Sequence, residues 1–200
     1  MFCLYCIRNV SFALLFLKRI RVIKKNLYKI PKKQPCLILF NHISDFDCWV
    51  LYWALNGRYA FVGKLALLYV PIIGALSSSI GTLYADAGNT ELNRDMVDHA
   101  VDYIKRDTHV LIAPEGTRDF DGKIRPFRHG GFHIALRSNC QIICLGIKNM
   151  EKVLLKKRPF VVNVEVDAFK VISPSEYEGM TAGELSQYCE NAYLDYLGQK

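Results

Sequence analysis

Cys36-Leu37-Ile38-Leu39-Phe40 runs without a break into Asn41-His42-Ile43-Ser44-Asp45-Phe46-Asp47. The first five residues follow Pro35 and form a short apolar run of the kind that makes a buried strand. The next seven include the polar, reactive Asn41, His42, Ser44, Asp45 and Asp47, and a helix is predicted from Asp47 to Leu55. A strand that ends in a polar loop and turns into a helix is the opening of an α/β unit. The same alternation continues outward. Strands are predicted at Tyr59–Val62, Thr82–Tyr84, His109–Ala113 and Gln141–Ile147, with a long alternating one at Phe160–Phe169. Helical spacing occupies Thr90–Arg106, with Leu92, Met96, Ala100, Val101 and Ile104 on one side and Thr90 as the expected cap. Gly131–Ser138 reads as a further helix, and Leu65–Ser79 as a helical stretch broken at Pro71 and Gly74. Thr181 and Glu184 form a capping box opening a last helix to about Leu197. The expected fold is α/β, a mostly parallel mixed sheet flanked by helices.

Composition narrows the class. The chain has 200 residues, 51% of them hydrophobic, enough for one domain with a real core and too apolar for a disordered chain. It carries 26 Lys and Arg against 19 Asp and Glu, a formal charge of +7 that suits an anionic partner. The seven cysteines sit mostly inside apolar runs and read as small buried hydrophobes of a reducing compartment. Cys3 and Cys6 have C-x-x-C spacing, but no second pair completes a zinc site and no strand precedes them.

Residues Phe2–Leu17 are mostly apolar, a short N-terminal helix below the ~20 residues a bilayer span requires. They also lack the basic start and small-residue cleavage site of a secretory signal. Lys18, Arg19, Arg21, Lys24, Lys25, Lys29, Lys32 and Lys33 follow. An apolar helix leading into a polybasic stretch is the pattern of an interfacial anchor on an anionic membrane. Nucleic acid is the poorer partner, since only Tyr28 is interleaved with these charges.

Chemistry belongs where strands end in polar loops. His42 and Asp47, five apart, allow a carboxylate in the first helical turn to fold back onto an imidazole in the loop. The carboxylate then fixes the tautomer, and the other ring nitrogen can take a proton from a hydroxyl. A helix N-cap is the structural alternative for Asp45 or Asp47. A metal site from His42, Asp45, Asp47 and Glu115 lacks a second histidine nearby, and His129 and His133 lack the Glu of H-E-x-x-H. No metal and no cofactor are expected. The second reactive loop is Ala113-Pro114-Glu115-Gly116-Thr117-Arg118-Asp119, directly after the strand at 109–113.

Taken together, the two loops resemble the lysophospholipid or glycerolipid acyltransferases of the PlsC type. That family carries N-H-x-x-x-x-D, matched by Asn41, His42 and Asp47. It also carries F-P-E-G-T-R, matched by Pro114, Glu115, Gly116, Thr117 and Arg118, with Ala113 in place of Phe. Pro126–Leu136 looks like the element that follows. The resemblance covers roughly residues 35–150. Lys64 looks like the family's upstream lysine, whereas Gly81–Ala87 lacks the arginine that usually closes the second block. The stretch around Cys144 and Gly146 lacks the proline of the fourth.

The resemblance implies transfer of a fatty acyl group from acyl carrier protein or acyl-CoA to the free hydroxyl of a lysophospholipid, foremost 1-acylglycerol-3-phosphate giving phosphatidic acid. In that reading His42 is the general base and Asp47 its orienting partner. Lys64, Glu115, Gly116, Thr117 and Arg118 bind substrate, with Arg118 and Lys64 the phosphate ligands. Glu115 then orients Arg118 or bonds a glycerol hydroxyl, and amides near Gly116 serve the oxyanion. Another lipid acceptor, a metal-dependent hydrolase and a silent lipid-binding module are the competing functions. Residues 1–34 are expected to form the apolar helix and membrane-surface segment, and 35–200 the acyltransferase domain, at the cytoplasmic face of the cell membrane.

Overall fold

The computed structural model describes residues 2–71, 73–155 and 160–199; the side chains of residues 2–5 lie outside it, Cys3 and Leu4 among them. Seven strands form one sheet in the order β1-β7-β6-β2-β5-β3-β4. They are β1 (Ile20–Lys25), β2 (Leu37–Phe40), β3 (Tyr59–Lys64), β4 (Leu83–Ala85), β5 (His109–Ile112), β6 (Ile142–Lys148) and β7 (Val162–Ile172). Neighbours from β6 to β4 pair in parallel. β7 is antiparallel to β6, and β1 is parallel to β7. The sheet is therefore mixed and mostly parallel, as expected.

The helices are α1 (Phe2–Leu17), α2 (Asp47–Ala54), α3 (Ile73–Ser79), α4 (Thr90–Lys105), α5 (His133–Ser138) and α6 (Ala182–Leu197). They cover both faces. Ile7 and Leu15 of α1 and Val50 and Leu51 of α2 pack on Ile38, Phe40, Leu111 and Ile143. Met96, Val97 and Val101 of α4, with Ile134 of α5 and Leu185 and Tyr193 of α6, pack on Leu37, Leu39, Val110 and Ile142. Alternate residues of β2 thus serve opposite layers, and all four are buried because both faces are covered.

Local departures from expectation have local causes. The cap of α4 is Asn89, whose side chain accepts from Leu92 N at 2.9 Å, not Thr90, which is the first helical residue. The stretch from Leu65 divides at Val70 and Pro71 into a 3₁₀ turn (Leu65–Tyr69) and α3, with Gly74 inside the second piece. The capping box of α6 forms as read, Thr181 Oγ1 accepting from Glu184 N.

The main correction concerns the first 34 residues. Ile20–Lys25, read as part of a surface segment, is an edge strand in register with Val162–Asp167. The expected boundary at residue 34 therefore cuts through one sheet. Lys25 reaches Glu165 of β7 at 2.7 Å and Lys24 Nζ donates to Trp53 O at 3.1 Å, so these two exposed side chains have partners in the fold itself. Helix α1 is likewise a packed layer: Ser11 is buried with its hydroxyl donating to Ile7 O at 2.8 Å. Its other side stays bare, with Phe12, Phe16 and Leu17 exposed.

A candidate active site at the carboxyl ends of the parallel strands

β2, β5, β3 and β4 are adjacent and parallel, so their carboxyl ends open on one rim. That rim gathers the loop after Phe40, the loop after Ile112, Lys64 at the end of β3 and Asp86 just past β4. A cavity of about 700 Å³ lies there. Much of its lining is apolar and aromatic (Phe40, Trp49, Tyr52, Phe61, Leu76, Ile80), while His42, Lys64, Thr117, Arg118 and Arg128 line it too. Such a site suits a ligand with a long apolar part and a polar head.

His42 is fixed by three contacts from two loops. Its Nδ1 donates to Asp47 Oδ2 at 2.8 Å. Its backbone N–H donates to Glu115 Oε1 at 2.9 Å, and its carbonyl accepts from Asp119 N at 2.9 Å. With Nδ1 carrying the proton, Nε2 is the lone-pair nitrogen left for a ligand in the cavity.

Asp47 opens α2 and is fully buried. Its Oδ2 also accepts from Ile43 N at 2.7 Å and Ser44 N at 2.9 Å, which closes the loop into a tight turn around the carboxylate. One oxygen thus holds both the imidazole and two loop amides, whereas the cap position of α2 is Phe46, with no side-chain cap bond, so the N-cap alternative for Asp45 or Asp47 does not form. Among the described residues the buried Oδ1 of Asp47 has no hydrogen-bond partner. Burial raises this carboxyl above its usual range, and the donors on Oδ2 oppose that rise.

Asn41 does structural work: its Nδ2 donates to Ile147 O at 2.9 Å and its Oδ1 accepts from Ile147 N at 2.7 Å. This reciprocal pair clamps the end of β2 to β6 and sets the direction in which His42 leaves the strand.

Two sequence expectations need revision. Glu115 neither lines the cavity nor touches Arg118. It is buried, and its second oxygen accepts from Arg125 N at 3.2 Å. It is a positioning residue for His42, with burial pushing its carboxyl up to about 7. Gly116 lines the cavity with a left-handed φ of 66°, but its N–H donates to Ala113 O at 3.0 Å, so that amide is already engaged. What Gly116 provides is space, since a Cβ there would stand 2.7 Å from Arg128 Nε.

Arg118 pairs with Asp45, which also lines the cavity. Arg128 lies across Gly116 with its N–H donating to Pro114 O at 2.8 Å, and was not among the expected site residues. In the sequence it lies within the Pro126–Leu136 element, twelve residues after the Gly116 it folds back on. Among the described residues, no group of three or more His, Cys, Asp or Glu side chains is placed to hold a metal.

The fold is shared with the crystal structure of the 1-acyl-sn-glycerophosphate (LPA) acyltransferase PlsC from Thermotoga maritima. It superposes with a TM-score of 0.77 at 18% identity over 98% of this chain and 79% of that one, a likeness of fold. The Acyltransferase family profile matches residues 21–148, and the chain belongs to that family. Its curated relatives include the human 1-acyl-sn-glycerol-3-phosphate acyltransferase alpha, 26% identical over 171 residues, 85% of this chain. The 1-acyl-sn-glycerol-3-phosphate acyltransferases of Saccharomyces cerevisiae and Borreliella burgdorferi are each 24% identical, over 79% and 82% of this chain. The chain spans 60% of the human relative's length, 53% of the yeast one's and 68% of the Borreliella one's.

Proposed function

We propose that this protein transfers a fatty acyl group from an acyl thioester, borne by acyl carrier protein or coenzyme A, to the hydroxyl of a lysophospholipid, with 1-acylglycerol-3-phosphate as the acceptor. The observation that carries the reading is the His42 Nδ1–Asp47 Oδ2 contact of 2.8 Å beside a largely apolar cavity that His42 lines. His42 Nε2 takes the proton from the acceptor hydroxyl as its oxygen bonds to the thioester carbonyl carbon. The tetrahedral intermediate collapses with loss of the thiolate, which takes that proton back from the imidazolium. The products are an ester and a free thiol. The thioester is already activated, so no covalent enzyme intermediate is required, and the pair acts as general base and orienter. The apolar wall suits the acyl chain. Lys64, Arg118 and Arg128 suit an anionic headgroup.

The acceptor and donor would be drawn from, or presented at, the cytoplasmic face of an anionic membrane. Phe12, Phe16 and Leu17 on α1 support this, as do the exposed Leu68, Tyr69 and Val70 beside Leu67 and Ile73, which line the cavity. No helix among the described residues is long and apolar enough to cross a membrane, which fits docking on the surface. The test is transfer of labelled acyl groups from acyl-CoA and from acyl carrier protein to 1-acylglycerol-3-phosphate, in the presence of chelator. Phosphatidic acid formed by the natural protein and not by His42→Ala is the expected result. Transfer that persists in His42→Ala, or hydrolysis that needs a metal, would overturn the reading.

A further inference from the structure

The charges around the cavity do not act as a simple cationic cradle. Arg118 is in contact with Asp45, a residue of the same loop as His42, and both side chains line the cavity. The Asp45 side chain is 78% exposed and that of Arg118 39%, so the pair sits at the mouth, in reach of an incoming headgroup. The Arg118 guanidinium also lies over the Phe120 ring at 5.4 Å, a second contact that an incoming ligand must compete with. Arg128 and Lys64 line the same cavity and make no ion pair among the described residues. An anion entering the cavity therefore meets two cations directly and a third only by displacing a carboxylate. Asp86 adds a second carboxylate to the lining, at the β4 end.

We infer that Asp45 is a specificity-determining residue: it competes with the acceptor's phosphate for Arg118 and so weakens the site's preference for the most highly charged headgroups. The inference rests on the acyl-transfer reading only for its biological meaning. The competition itself is a property of binding. A phosphomonoester, which approaches two negative charges at neutral pH, gains most from a released Arg118 because it can use the guanidinium fork with both charges satisfied. A phosphodiester, with one charge, is served by Arg128 and Lys64 and gains less. An uncharged headgroup gains nothing. The expected size is modest, because exposed ion pairs are worth up to about 1 kcal/mol, or roughly fivefold in a binding constant.

The experiment measures equilibrium binding of three unreactive amphiphiles by calorimetry: dodecyl phosphate, dodecyl methyl phosphate and dodecyl glyceryl ether. Asp45→Asn keeps the side chain's shape and removes its charge. It should lower the Kd for dodecyl phosphate about two- to fivefold, that for dodecyl methyl phosphate less, and leave that for the ether unchanged. In an Arg118→Gln background the same substitution should lose its effect, because the competition has no object. Three results would each overturn the inference: an unchanged or raised Kd for dodecyl phosphate, an equal gain for all three ligands, or a gain that survives the loss of Arg118. Acyl transfer is then assayed on the same preparations. A tightened dodecyl phosphate Kd together with no transfer to any acceptor leaves Asp45's role standing and removes the acyl-transfer reading.

Discussion

His42 is held at its imidazole by Asp47 and at both of its backbone groups by the second loop, so its side chain is placed by residues that do not themselves meet the substrate. His42→Ala should cut transfer by about 10²–10⁴, the share a general base supplies, with an unfolding midpoint close to the natural protein's. The Ile43 and Ser44 amides still hold Asp47 in that variant. Thermal melts beside initial-rate assays decide this. Glu115 acts through His42 and has a different signature. Its carboxyl is raised by burial from 4.5 to about 7, so the folded chain holds that proton more tightly than the unfolded one. The stability it contributes is full below pH 4.5 and is lost as pH rises through about 7. Glu115→Gln should flatten that stretch of the Tm–pH curve. It should also cost about 1–3 kcal/mol, because one of the two amides now faces an –NH2 group rather than an acceptor. An unaltered Tm–pH slope in Glu115→Gln would remove the buried carboxyl from this role.

At the scale of elements, what could be read in the sequence was whatever one segment carries by itself. The apolar run at β2, the spacing of α4 and the Thr181–Glu184 box each announce their structure locally, and each formed. The His42–Asp47 pair was legible because five residues of loop and first turn bring the two together without help from the rest of the chain. β1 was not. Its apolar residues, Ile20, Val22 and Ile23, are set among Arg21, Lys24 and Lys25, and their strand exists because β7 offers a ladder more than 130 residues away. Glu115 and Arg128 were misread or missed for a related reason. Their partners are backbone atoms or neighbours contributed by other loops, which a linear motif does not display. Gly146 is another such position: it lies inside β6, yet a Cβ there would stand 2.1 Å from Tyr196 Cε1. Tyr196 is stacked on Phe169 at 4.0 Å and donates to Asp167 Oδ2 at 3.1 Å, so it cannot simply swing away. Gly146→Ala should therefore cost about 1–3 kcal/mol by overpacking. The check is a denaturant titration, in which the midpoint falls while the slope m is kept.

For the molecule as a whole, folding and the proposed membrane attachment share one helix, and they separate by face. The inner face of α1 contributes Ile7, Ser11 and Leu15 to the layer that includes α2, and Phe12 reaches the Trp53 ring at 4.8 Å. The outer face leaves Phe16 and Leu17 about three-quarters exposed, at 73% and 74%. Removing residues 2–17 should therefore strip the α2 layer as well as the proposed anchor, lowering Tm markedly before any question of lipid arises. Phe16→Ser with Leu17→Ser should leave Tm nearly unchanged and weaken binding to vesicles, since burying a large apolar side chain is worth about 1.5–3 kcal/mol. The basic residues divide in the same way. Lys24 and Lys25 have partners on α2 and β7, so neutralising them should disturb the contacts of β1 with both elements. Arg21, Lys32 and Lys33 remain exposed, and their triple Gln variant should lose affinity for phosphatidylglycerol vesicles but not for phosphatidylcholine ones. Each charge near an anionic surface contributes about 1 kcal/mol, a difference that should shrink as salt shortens the screening length from about 10 Å at 0.1 M towards 3 Å at 1 M. Co-sedimentation with vesicles at two salt concentrations, run beside melting curves, distinguishes the two faces. Surface docking by α1 is refuted if the Phe16 and Leu17 variant sediments like the natural protein, or if it melts as early as the truncated one.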